Sequence, residues 1–108
     1  MKNLTGIWEI QEMDMWDEDY FNMEVQAFVE IKENKTGEFH FGLVTGYFNW
    51  SMYDFEEGKR LEFTWEGNDE MDEVFGAGWI TLESKDIIKG EIRFHNGDDS
   101  IFIAKRKK

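Results

Sequence analysis

Eight short runs of alternating apolar and polar residues follow one another along this 108-residue chain, with only turns and short loops between them. That recurrence is the strongest constraint on its fold, because period two marks a strand with one buried face. In the first run Leu4, Gly6, Trp8 and Ile10 alternate with Thr5, Ile7, Glu9 and Gln11, and the strand extends to Met13. Residues 14–22 break the pattern and read as a loop or short helical turn. Met23, Val25, Ala27, Val29 and Ile31 carry the second strand, and Asn34-Lys35-Thr36-Gly37 turns the chain. Phe39, Phe41 and Leu43 mark the third. Gly46 reads as a corner before Trp50 and Met52 on the fourth, and Glu56-Glu57-Gly58-Lys59 as a turn before Leu61, Phe63 and Trp65 on the fifth.

Gly67 to Val74 reads as a second acidic loop. Gly78, Ile80 and Leu82 share one face of a sixth strand, and Gly90, Ile92 and Phe94 one face of a seventh. Asn96-Gly97 is the strongest short hairpin signal, since both residues accept the positive φ of a type I′ turn. The eighth strand runs from Ser100 to Arg106, with either Ile101 and Ile103 or Phe102 and Ala104 inward. Links this short predict an all-β, antiparallel, up-and-down meander in a single domain over residues 1–108. Closing the meander removes its edges, so an eight-stranded barrel, closed or nearly closed, is expected. The inward residues Trp8, Phe39, Phe41, Phe63, Trp65 and Phe94 are bulky enough to fill a narrow barrel. A small cavity or a shallow mouth is expected, and not a deep lipid pocket.

Gly6-Ile7-Trp8 at the start of such a chain and Arg106 at its end resemble the layout of the calycin superfamily, which holds lipocalins, fatty-acid-binding proteins and avidins. The resemblance implies a lipocalin-like barrel in which Arg106 packs over Trp8. Glu62-Phe63-Thr64-Trp65-Glu66-Gly67, Gly76-Ala77-Gly78-Trp79 and Phe94-His95-Asn96-Gly97-Asp98-Asp99-Ser100 also look like a family of small uncharacterised bacterial proteins. That second resemblance implies a compact barrel in a cytoplasmic setting and lends no activity.

Composition narrows the function classes. The absence of Cys fits a reducing cytosol and excludes disulfides and thiolate metal sites. No signal-peptide pattern precedes the first strand, and no apolar run approaches the ~20 residues of a membrane helix. A net charge of −12 argues against nucleic acid or an anionic membrane as a partner and permits a small cationic ligand, a metal ion or a basic protein.

The meander sorts this charge. Links after the first, third, fifth and seventh strands share one rim, read as residues 14–22, 46–49, 66–75 and 95–99. They carry Asp14, Asp17, Glu18, Asp19, Glu66, Asp69, Glu70, Asp72, Glu73, Asp98 and Asp99, and no Lys or Arg. Lys2, Lys32, Lys35, Lys59, Arg60, Lys85, Lys89 and the tail Lys105, Arg106, Lys107 and Lys108 map to the opposite end, with Arg93 the exception. An acidic mouth with Trp16, Tyr20, Phe21, Tyr47, Phe48, Trp65 and Phe75 suits a cation, through Coulomb attraction and cation–π contact. The plainer alternative is solvated carboxylates around a hydrophobic plug.

The candidate ligand-binding residues are therefore Trp16, Asp17, Asp19, Tyr20, Tyr47, Trp65, Glu66, Asp69, Asp72, His95, Asp98 and Asp99. No catalytic residue is assigned. His95 through Ser100 holds His, acid and Ser together, but no strained elbow exposes a nucleophile or supplies an oxyanion hole. The acidic runs 17–19 and 69–73 lack the D-x-D-x-D-G pattern of a calcium loop, and with two His and no Cys neither a zinc nor a haem site is expected. No cofactor is expected. The leading reading is a non-enzymatic module that binds a small ligand or cation at the acidic mouth. The alternatives are an interaction module, with Trp16, Tyr20 and Trp79 as a patch for homodimerisation or a basic partner, and an enzyme pairing His95 with Asp98 or Asp99.

Overall fold

The computed structural model describes residues 4–56 and 58–107. Lys2, Glu57 and Lys108, which the sequence reading assigned to the basic end and to a turn, lie outside the described residues. The elements are β1 (Gly6–Met13), α1 (Glu18–Phe21), β2 (Phe28–Ile31), β3 (Thr36–Phe41), β4 (Val44–Phe55), β5 (Gly58–Asp69), β6 (Asp72–Ser84), β7 (Ile87–Phe94) and β8 (Asp99–Arg106). Each strand pairs antiparallel with the next, and β8 returns to β1, so the eight strands form one closed barrel. The expected architecture is the observed one.

Closure follows from the two ends of the chain. In β1 the residues Trp8 and Ile10 point inward and are buried, and β8 answers with Ser100, Phe102 and Ala104 on its inner face. That resolves the ambiguity of the last strand in favour of Phe102 and Ala104. The β1–β8 ladder runs from Trp8↔Arg106 to Met13↔Phe102, with one irregularity between Ile10 and Glu12 that returns Met13 to the buried side. Gly6 adopts φ 127°, and a side chain there would meet the Arg106 Nη1 at 3.3 Å, so the position favours glycine on both counts.

The interior is packed with rings. Phe39 stacks on Phe41 at 5.9 Å, Phe48 meets Phe63 at 4.7 Å, and Trp65 stands edge-on to Phe39 and Phe94 at 5.0 and 5.1 Å. Each such ring withdrawn from water contributes on the order of 2–3 kcal/mol.

Four local expectations change. Gly46 is not a corner. The turn lies at Gly42-Leu43, and Gly46 sits inside β4 opposite Phe39. Its missing side chain makes room for the Phe39 ring, whose Cζ would stand 2.3 Å from a Cβ there. Residues 66–75 are not a loop. β5 runs on to Asp69 and β6 starts at Asp72, leaving Glu70-Met71 as the turn, with Glu70 at φ 59°. The second strand is shorter than its alternation suggested, since Met23 and Val25 are exposed and the Asn22 side chain accepts from the Ala27 N–H at 2.8 Å to hold an irregular approach. Finally, only Asn96 of the Asn96-Gly97 pair has positive φ, so the β7–β8 link is a four-residue connection and not a type I′ turn.

Candidate functional site

The links at the acidic end are the segment between β1 and β2 with α1, the Gly42-Leu43 turn, the Glu70-Met71 turn and the loop after Phe94. Asp17 caps α1, accepting from the Tyr20 N–H at 3.1 Å. The Gly42 N–H donates to the Phe21 carbonyl at 2.9 Å and ties the helical turn to the β3–β4 corner. This arrangement lays Trp16 across the barrel end. Its ring meets Phe41 at 5.1 Å, Tyr20 at 5.9 Å and Phe94 at 6.2 Å. Trp16 and Tyr20 close the barrel, while Asp17 and Asp19 face solvent above them.

Asp14 completes the closure. One carboxylate oxygen accepts from the Ser100 hydroxyl at 2.9 Å and from the Ile101 N–H at 2.8 Å. Ser100 is fully buried. Among the described residues no hydrogen bond or ion pair joins His95 to Asp98, Asp99 or Ser100. The six-residue run that suggested a triad therefore separates into a buried lock at Ser100 and an exposed loop.

Trp65 belongs to the core, and its indole N–H donates to the Arg93 carbonyl at 3.1 Å. Phe21 and Phe48 are also buried. Asp69 and Asp72 face each other across the Glu70-Met71 turn. The carboxylates of Asp98 and Asp99 line the β7–β8 link and the start of β8, where Asp99 pairs in register with Arg93. Among the described residues no group of three or more His, Asp or Glu is arranged to hold a metal ion.

Tyr47, Glu66, Phe75 and His95, expected at the mouth, lie in a row with Glu38. Tyr47 pairs in register with Glu38 on one side and Glu66 on the other, and Glu66 pairs with Phe75. Beyond Phe75, the His95 N–H donates to the Phe75 carbonyl at 2.8 Å, and the two rings stack at 4.6 Å with their planes 20° apart. Glu38, Tyr47, Glu66, Phe75 and His95 thus cross the outer wall in one line. Neighbours directly opposite in such ladders have Cβ atoms about 5 Å apart. Tyr47 is 56% and Phe75 55% exposed, and Met71 at the hairpin tip is 96% exposed.

A shallow groove of about 600 Å³ runs over Tyr47, Glu66 and Phe75 with Asn49 and Thr64 beside them, and Lys32, which also lines it, stands 3.9 Å from the Glu38 carboxylate. The signal for the outward placement was available, because Tyr47, Glu66 and Phe75 have the opposite parity to buried Phe48 and Trp65. Glu38 lies on a strand, away from the acidic links that stand out in the sequence, so nothing local marks it.

The chain matches no protein-family model, no curated protein and no solved structure. Among the described residues no helix is long and apolar enough to cross a membrane.

Proposed function

We propose that this protein is a non-enzymatic binding module that takes a cationic segment of a partner protein on its acidic, aromatic outer wall. The observation that carries the reading is the row Glu38–Tyr47–Glu66–Phe75, in which carboxylates alternate with half-exposed rings. A Lys or Arg side chain laid over Tyr47 or Phe75 meets a ring face and a carboxylate together, and both interactions favour it. Asp69, Glu70, Asp72 and Glu73 at the neighbouring hairpin tip extend the same potential, and Met71 adds an adaptable apolar contact. Rings of this size, exposed on a polar wall with a carboxylate between them, are residue types that anchor protein interfaces.

A small cation, a metal ion or a second copy of the chain would use the same carboxylates or rings. The extended wall favours a peptide segment over these, because the row spans several strands and does not converge on one point. Arg106 over Trp8 at 4.2 Å supports a calycin-like reading of the barrel. The ring-filled interior directs binding to the wall instead of the lumen. A cytoplasmic setting belongs to this proposal, as the absence of Cys accords with it.

Calorimetric titration with oligo-lysine and oligo-glutamate peptides of equal length tests the reading. Oligo-lysine should bind, with affinity falling as salt rises, and Glu66→Lys should weaken it at least tenfold. Equal affinity of Glu66→Lys and the wild type would remove the wall from the account.

A further inference from the structure

The barrel wall is open at the other pole. The β5–β6 ladder stops at Leu61↔Ile80, although β5 begins at Gly58 and β6 continues to Ser84. Among the described residues Gly58, Lys59 and Arg60 pair only with β4, and the end of β6 pairs only with β7, through a register shift between Leu82 and Ser84. The two strands part, and a cavity of about 540 Å³ occupies the gap. Residues of both parities line it. Leu4, Met52 and Leu82 come from the inner layer, and Phe55, Arg60 and Trp79 from the outer wall.

Its chemistry is apolar below and cationic above. The Arg60 guanidinium donates to Glu62 at 2.7 and 3.1 Å and lies over Phe55 at 4.5 Å and Trp79 at 5.5 Å. Arg60 is therefore committed to shaping the aromatic side of the cleft. The Trp79 indole is held by its N–H, which donates to Glu91 at 3.0 Å. Lys59 and Lys89 remain as the cations with charge to offer. Among the described residues Lys59 approaches only Asp54, at 3.8 Å, and both groups are well exposed, so that pair is weak. Lys89 has no ion-pair partner among the described residues. Among the described residues one acid lines the cleft, Glu83, and it accepts from the Thr81 hydroxyl at 3.0 Å.

We infer that this lateral cleft between β5 and β6 binds a small organic anion with an apolar tail, of the alkyl carboxylate class. The tail lies on Leu4, Met52 and Leu82, and the carboxylate meets Lys59 and Lys89. The site is separate from the acidic wall, and neither proposal depends on the other.

Decanoate, decyltrimethylammonium and acetate distinguish the possibilities in a methyl and indole NMR titration of the intact chain. Decanoate should shift the Leu4, Met52 and Leu82 methyls and the Trp79 indole, and saturate. Acetate lacks the tail and should shift none of them. The cation with the same tail should bind at least tenfold more weakly. Lys89→Glu should weaken decanoate at least tenfold, and Phe55→Ala, on a half-exposed ring, several-fold without loss of the fold. Equal binding of the decyl cation and decanoate would overturn the anion assignment. Failure of decanoate to shift the cleft methyls in the folded wild type would overturn the site.

Discussion

The Arg106 guanidinium lies 4.2 Å from the centre of the Trp8 ring, and the two residues are also register partners across the β1–β8 seam. The contact joins the two ends of the chain. Arg106 donates to the Thr5 carbonyl at 3.1 Å and its Nε stands 3.6 Å from Asp86, so it also braces the β6–β7 turn. Trp8 is fully buried, and its indole N–H donates to the Leu4 carbonyl at 2.9 Å.

Removing this clasp loosens closure. Arg106→Ala should destabilise the protein by about 2 kcal/mol, combining a lost charge-assisted hydrogen bond and a cation–π contact. Urea unfolding followed by tryptophan fluorescence measures it. Arg106→Lys should recover only part, because an ammonium cannot spread over the ring while donating to two sites.

Gly46→Ala tests a steric claim. The added methyl would meet the Phe39 ring at 2.3 Å, and a cost of about 1–3 kcal/mol is expected from overpacking. Phe39→Leu leaves a cavity by itself but should relieve the Gly46→Ala clash. The double variant should be more stable than the sum of the two single changes allows, which a double-mutant cycle in urea would show.

Asp14 and Ser100 close the acidic end of the seam. Ser100→Ala should cost about 1 kcal/mol, and Asp14→Ala about 2 kcal/mol because it strands the Ile101 N–H as well. Amide exchange at Ile101 should rise sharply in Asp14→Ala and much less in Ser100→Ala.

Trp16→Ala should uncap the barrel. The ring packs on Phe41, Tyr20 and Phe94, so its loss should cost about 2 kcal/mol, less than the roughly 3–5 kcal/mol of a fully buried ring. Trp16→Ala should gain a site for a fluorescent apolar dye that the wild type lacks, and decanoate should not displace the dye from it.

Much of the barrel was legible, and the reasons are specific. Leu61, Phe63 and Trp65 alternate with Glu62, Thr64 and Glu66, and burial follows that parity. One error arose where a glycine serves packing instead of turning. Gly46 reads as punctuation in one dimension, yet its role is to admit Phe39 from the neighbouring strand. The acidic stretch 66–73 holds Met71 as its one apolar residue, so no alternation announces a strand there, and its pairing depends on the neighbouring strands.

The candidate site was half legible for the same reason. The charge segregation needs only the order of the strands. The row through Tyr47, Glu66 and Phe75 needs the register, which no local pattern supplies. The cleft between β5 and β6 was not legible, since it arises from where a ladder stops.

Backbone amide NMR of the wild type during titration with a short oligo-arginine peptide tests the central claim most directly. The account expects saturable shifts at Tyr47, Glu66, Met71 and Phe75, with Lys35, Arg60 and Lys89 at the opposite pole unmoved. Shifts scattered evenly over the barrel, or none at the Tyr47–Glu66–Phe75 row, would contradict it.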